Sequence, residues 1–238
     1  MVALLDLQNM LLDVPKQKRG KRGLARVTGL LGGSFNPAHG GHRRITRFAI
    51  DALGLDEAWW LVSPGNPLKP KKGMAPLPAR LLSATKQARR APIVPTAIEA
   101  ELKTRYTVDT LRVLKRRYPK RQFVWLMGSD NLAQFHRWKD WRTIARTLPI
   151  AVIARPGYND DAMTSPAMAW LRRYSVSAAS FRNRGQWSAP ALIFMAFDPD
   201  TRSATAIRRA DADWDLQYLG RSVRDRLTLS RIQHREDA

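Results

Sequence analysis

Gly32-Gly33-Ser34-Phe35-Asn36-Pro37-Ala38-His39-Gly40-Gly41-His42 is the stretch that decides the fold. It follows the apolar pair Leu30-Leu31 and precedes an amphipathic run from Arg43 to Leu53. That order reads as a strand, a glycine-rich turn and the start of a helix. His39 and His42 lie three apart, so at helical spacing they point to one side. A helix N-terminus offers unpaired N–H groups and the positive end of a macrodipole. Two imidazoles there, beside glycines that carry no side chain, suit a polyphosphate. The stretch is not the Gly-x-Gly-x-x-Gly dinucleotide fingerprint, nor does it hold the Gly-Lys-Ser/Thr of P-loop proteins.

Working outward, apolar runs and helical patterns alternate. Strands are expected at Val27–Leu31, Ala58–Val62, Ile93-Val94, Phe123–Met127, Ile150–Ala154 and, as the last, Leu192–Phe197. Helices are expected over Ala79–Arg90, Thr107–Arg117 and roughly Asn131–Thr147, with a short one over Ala167–Tyr174. Strands separated by helix-length segments imply βαβ units. The predicted class is α/β, a doubly wound parallel sheet with helices on both faces. Ligands of such sheets bind beyond the carboxyl ends of the strands, where strand order reverses. The polar clusters Gly32–His42, Gly128–Asp130 and Arg155–Gly157 each directly follow a strand.

The length, 238 residues, suits one full domain with a small appendage. We expect a basic N-terminal extension over 1–23 and a domain over 24–238. No run of apolar residues is long enough for a membrane span, and the charges of the first segment follow its apolar part, the wrong order for a secretory signal. The chain has no cysteine, which excludes disulfides and thiolate metal sites and fits a cytoplasmic protein. Its 41 Lys and Arg against 20 Asp and Glu leave a net charge of +21, which attracts polyanions. A basic nucleic-acid-binding protein is therefore the rival from another class, although no zinc-finger or helix-turn-helix signature is visible.

The Gly-Ser-Phe-Asn-Pro-x-His-x-Gly-His segment resembles the signature of the His-x-Gly-His nucleotidylyltransferases, whose fold is Rossmann-like. Their second signature, Ile-Ser-x-Thr-x-Ile-Arg, is matched by Arg202-Ser203-Ala204-Thr205-Ala206-Ile207-Arg208, with Arg202 in place of the apolar residue. Read from the residues alone, Ser203 is the N-cap of a helix running to Ala210. Three further stretches are similar to the nicotinate-nucleotide adenylyltransferase branch. They are Glu101-Leu102-Lys103 with Arg105-Tyr106-Thr107 and Thr110-Leu111; Gly128-Ser129-Asp130 with Phe135 and Trp138; and Arg155-Pro156-Gly157. The phosphopantetheine branch usually has threonine where this chain has His39.

The resemblance implies adenylyl transfer from ATP to nicotinate mononucleotide, giving deamido-NAD and pyrophosphate by direct displacement. The alternative acceptors within the family are nicotinamide mononucleotide and phosphopantetheine. It implies that His39, His42 and Arg208 are catalytic. ATP would be bound by Gly33, Ser34, Phe35, Asn36, His39, His42, Asp130, Arg155, Ser203, Thr205 and Arg208. The acceptor would meet Thr107, Trp138 (with Trp141 as competitor) and one of Lys69, Lys71 and Lys72, Lys69 foremost, although Leu68 stands where the family often has histidine. Mg²⁺ would come with ATP, held mainly by phosphates and water, with no dedicated metal site. The partners implied are these two substrates, with no specific nucleic acid and no membrane; a homo-oligomer is compatible with this.

Overall fold

The structure, a computed structural model, describes residues 25–65, 73–154, 159–182, 188–197 and 203–233. The expected extension over 1–23 lies outside these residues, as do Lys69, Lys71, Lys72 and Arg155.

Among the described residues six strands form one sheet: β1 (Arg26–Gly33), β2 (Glu57–Val62), β3 (Ile93–Thr96), β4 (Arg121–Gly128), β5 (Ile150–Ile153) and β6 (Leu192–Met195). Every pairing is parallel, and the spatial order is β3-β2-β1-β4-β5-β6. The order reverses between β1 and β4, so the chain leaves these two neighbouring strands in opposite directions and a crevice opens at their carboxyl ends.

The strands are apolar on both sides because both sides are covered. Val27 and Leu31 of β1, Trp60 of β2 and Leu126 of β4 face one way. They pack on α1 (Gly40–Leu53) and α2 (Leu77–Ala88) through Ile45, Ala49, Leu53, Leu81 and Ala84. Leu30, Trp59, Trp125 and Val152 face the other way. There they meet α3 (Ile98–Leu102), α4 (Thr107–Arg117), α5 (Ser129–Gln134), α6 (Trp141–Thr147), α7 (Asn159–Thr164) and α8 (Pro166–Leu171). Two further helices, α9 (Ala178–Arg182) and α10 (Ala204–Ala210), precede and follow β6. Helix α1 ends in a left-handed Gly54 at φ 64°, a conformation glycine adopts without a Cβ penalty. Gly32 serves a close approach instead: a Cβ there would lie 2.9 Å from the Trp125 ring.

Two expectations are corrected. The single helix over Asn131–Thr147 is broken into α5, a 3₁₀ turn at Phe135–Arg137, and α6. Trp138 is extended and Asp140 left-handed at φ 50°. Phe135 meets Trp138 and Trp141 edge to face, at 5.3 and 5.8 Å between ring centroids. This tertiary contact overrides the helical spacing of the three aromatics. Nor is β6 the last strand. An antiparallel hairpin, β7 (Val223–Arg224) with β8 (Arg231–Ile232), follows it. The buried Asp225 carboxylate ties that hairpin to the sheet, accepting from the Thr96 hydroxyl and from the Ala97, Leu227 and Thr228 N–H groups. Strands of two residues carry no readable periodicity.

Candidate active site

The glycine-rich turn leaves β1 at the reversal point and enters α1 through the two histidines. His39 is the N-cap: its Nδ1 accepts the Gly41 N–H at 3.2 Å. His42 stands at N3, and its Nδ1 accepts the His39 N–H at 3.2 Å. Together they form a capping box built from imidazoles, with ring centroids 3.9 Å apart. A backbone amide only donates, so each Nδ1 is the lone-pair nitrogen and each neutral ring carries its proton on Nε2. Both rings line a cleft of about 420 Å³ at the carboxyl ends of the strands. Capping therefore fixes the orientation of two imidazoles at the positive end of a helix.

Gly33, Ser34, Phe35 and Asn36 line the same cleft. Phe35 takes a left-handed conformation at φ 48°, unusual for a bulky residue. Its ring holds it there, buried against Trp60 at 5.1 Å and His42 at 4.9 Å. The Asn36 side chain pins the neighbouring segment, donating to the Gly73 carbonyl at 2.8 Å and accepting the Ala75 N–H at 3.1 Å. Ser203 caps α10, as its position suggests, by accepting the Ala206 N–H at 3.1 Å. Ser203 and Thr205 reach the cleft wall. Arg208 stands behind them: its guanidinium donates to the Asn36 carbonyl and, at 3.3 Å, to the Thr205 hydroxyl, tying α10 to the turn.

Across the cleft lie Thr107 at the start of α4, Asp130 at the start of α5, and Trp138. Trp138 is half-buried, edge to face with Trp125 at 5.9 Å. Trp141 instead packs in the core against Phe135 and Trp170, away from the cleft. Thus the cleft gathers every candidate in the described residues except the competitor Trp141 and Arg208, which lies one contact behind its wall.

Four charged cleft residues are not among the expected site residues: Glu99, Arg105, Arg137 and Lys139. Arg105 and Lys139 stand over the Tyr106 ring at 5.8 and 4.6 Å. Burial raises the Glu99 carboxyl, hydrogen bonds from Thr110 and Ser63 pull it part of the way back, and the net result is about 7. Three cations against the two carboxylates Glu99 and Asp130 add to the two imidazoles in favouring anions.

Residues 30–210 match the model of the cytidylyltransferase-like family. The chain belongs to that family. This cytidylyltransferase-like chain is 70% identical over 201 residues to a probable nicotinate-nucleotide adenylyltransferase of Erythrobacter litoralis, covering 84% of this chain and 92% of the relative. It is 51% identical over 189 residues to one of Parvibaculum lavamentivorans, covering 79% and 94%. Among solved structures it is similar to the Plasmodium falciparum nicotinic acid mononucleotide adenylyltransferase complexed with NaAD. There the TM-score is 0.58 at 15% identity, over 77% of this chain and 83% of that one, which shows a shared fold. The expected Rossmann-like α/β architecture is therefore the one observed. No helix among the described residues is long and apolar enough to cross a membrane.

Proposed function

We propose that this chain transfers the adenylyl group of ATP to nicotinate mononucleotide, giving deamido-NAD and pyrophosphate in NAD biosynthesis. The observation that carries the reading is the histidine capping box, which fixes two imidazoles on the wall of a cleft at a helix N-terminus. The names of the relatives support the acceptor.

The nucleophile is the mononucleotide's own phosphate oxygen, already an anion. It forms a bond to the α-phosphorus of ATP as the bond from that phosphorus to the bridging oxygen breaks and pyrophosphate leaves. No protein base and no covalent intermediate are required. The protein must align two polyanions and stabilise charge on the leaving group. His39 and His42 donate from Nε2 to the ATP phosphates. The N–H groups of Gly33, Ser34 and Phe35 contact the reacting phosphates, with Asn36 beside them. Ser203, Thr205 and Arg208 hold the β- and γ-phosphates, Arg155 contacts ATP, and Asp130 accepts from a ribose hydroxyl. Trp138 stacks on the pyridine, Thr107 binds its carboxylate, and Lys69 meets the acceptor phosphate.

Mg²⁺ would come with ATP, held mainly by phosphates and water, and would supply neutralisation of the phosphate charge. Among the described residues no three His, Cys, Asp or Glu converge as metal ligands. The residues above act on the phosphates directly. Residues 24–238 form the catalytic domain, with 1–23 as an extension, and the protein works in the cytoplasm.

The test is pyrophosphate release from ATP with each acceptor in turn. Nicotinate mononucleotide should be turned over best, ahead of its amide and of phosphopantetheine. Release with none of them, together with DNA or RNA binding that weakens steeply with salt, would overturn the reading in favour of a nucleic-acid-binding protein.

A further inference from the structure

Arg80, on α2, is 1% exposed, and among the described residues no carboxylate forms an ion pair with it. Its hydrogen-bond partners are backbone carbonyls. Nε donates to Ala75 at 2.8 Å, and Nη1 to Ser34 at 2.8 Å and Ser63 at 2.6 Å. Nη2 reaches Pro64 at the outer limit, 3.5 Å. These carbonyls belong to three segments: the glycine-rich turn after β1, the turn after β2, and the entry to α2. Only a planar guanidinium presents enough fixed donors to join three segments at once. Burial lowers its pKa to about 10, so it stays charged at neutral pH.

Ser34 and Ser63 line the cleft, and Arg80 stands behind that wall. The Ser34 carbonyl and the Phe35 N–H belong to one planar trans peptide and point in opposite directions. Drawing the carbonyl back to Arg80 therefore turns the Phe35 N–H away from it, and both residues of that peptide line the cleft. The same bond braces Phe35 in its left-handed conformation, which persists only where the surroundings over-determine it. A buried cation without a carboxylate is costly by itself, and an anion bound across the wall offsets that cost.

We infer that Arg80 is the positioning residue of the phosphate-binding turn: it aims the Ser34–Phe35 peptide at the ATP phosphates, and its buried charge is balanced by them. The inference rests on the reading of the cleft as an ATP site.

Arg80→Lys and Arg80→Met, measured beside wild type, test it by steady-state kinetics and by the rise in melting temperature that saturating ATP produces. Lysine keeps the charge but lacks the fork. Its KM for ATP should rise about tenfold or more, and the ATP-induced rise should shrink, in Arg80→Met further than in Arg80→Lys. If Arg80→Met fails to fold, Arg80→Lys decides alone. Variants that melt earlier without ligand yet keep the wild-type KM for ATP and the full ATP-induced rise would reduce Arg80 to a structural brace and overturn the inference. A wild-type protein with no ATP-induced rise would instead sink the reading of the cleft itself.

Discussion

His39 performs two tasks with its two ring nitrogens, and a pair of substitutions separates them. Nδ1 caps α1 by accepting the Gly41 N–H. Nε2 is, in the proposed reaction, the donor to the ATP phosphates. Alanine removes both. Losing an N-cap acceptor costs about 1 kcal/mol, which for a domain of this size is about 2–4 °C in melting temperature. Losing one donor to developing negative charge costs about 10²–10³ in kcat, roughly 2.7–4 kcal/mol of barrier. Asparagine is a good N-cap and restores the acceptor without restoring the donor in the same place. We therefore expect His39→Ala to melt earlier and to lose turnover, and His39→Asn to melt close to wild type while losing about as much turnover. Thermal unfolding and pyrophosphate release on the same preparations measure the two effects. If His39→Asn turned over at nearly the wild-type rate, Nε2 would have no part in the chemistry, and the assignment of the paired imidazoles would fall.

Three further outcomes are expected. Asp225→Ala strips the acceptor from the Thr96 hydroxyl and the Ala97 N–H, both buried. At about 1–3 kcal/mol for each stranded group the protein should lose several degrees in melting temperature, with hydrogen exchange rising first in the β7–β8 hairpin. Glu99 titrates higher folded than unfolded, so folding takes up a proton, and its contribution to stability is lost as pH rises from about 4.5 to about 7. Glu99→Gln imitates the protonated form; melting curves from acid to mildly alkaline pH should show the variant gaining on wild type across that window, and parallel curves would refute the point. Trp138→Ala should raise the acceptor KM about tenfold, since stacking on an aromatic face is worth about 1–3 kcal/mol. Trp138→Phe should recover most of it, with the ATP KM unmoved in both.

Much of this could be read before any coordinates. The β-strands declare themselves as apolar runs because the sheet is covered on both faces, and the reversal point follows from chain direction once β1 and β4 are neighbours. His39 and His42 were placed on one side by spacing alone. Which nitrogen each ring turns to the cleft was not legible, because that depends on the backbone amides at positions 39 and 41. Trp138 was legible as a pocket residue by resemblance but not by pattern. Phe135, Trp138 and Trp141 repeat every three residues, and spacing alone would have kept all three in one helix. Arg80 had no signal whatever: an arginine amid Ala79, Leu81 and Leu82 reads as a solvated position on an amphipathic helix, and its partners are carbonyls whose direction only the assembled turns determine.

Four places where local rules fail share one location. A bulky residue is left-handed at Phe35, a cation is buried without a carboxylate at Arg80, a carboxyl is held near neutrality at Glu99, and a helix is interrupted to release Trp138. Each departure costs stability, and each lies on or directly behind the cleft wall. In a fold whose helices and strands otherwise follow propensity and periodicity, such clustering marks the part of the chain selected for something other than folding. Two of the four also converge on one task. Arg80 aims the turn, Phe35 carries the strained peptide, and its ring packs against His42, so the peptide donor and the imidazole donor are held in register. Disturbing Arg80 should therefore weaken the effect of His42 substitutions. In a double-mutant cycle on ATP binding the two losses should fall short of additive, whereas independent sites would simply add.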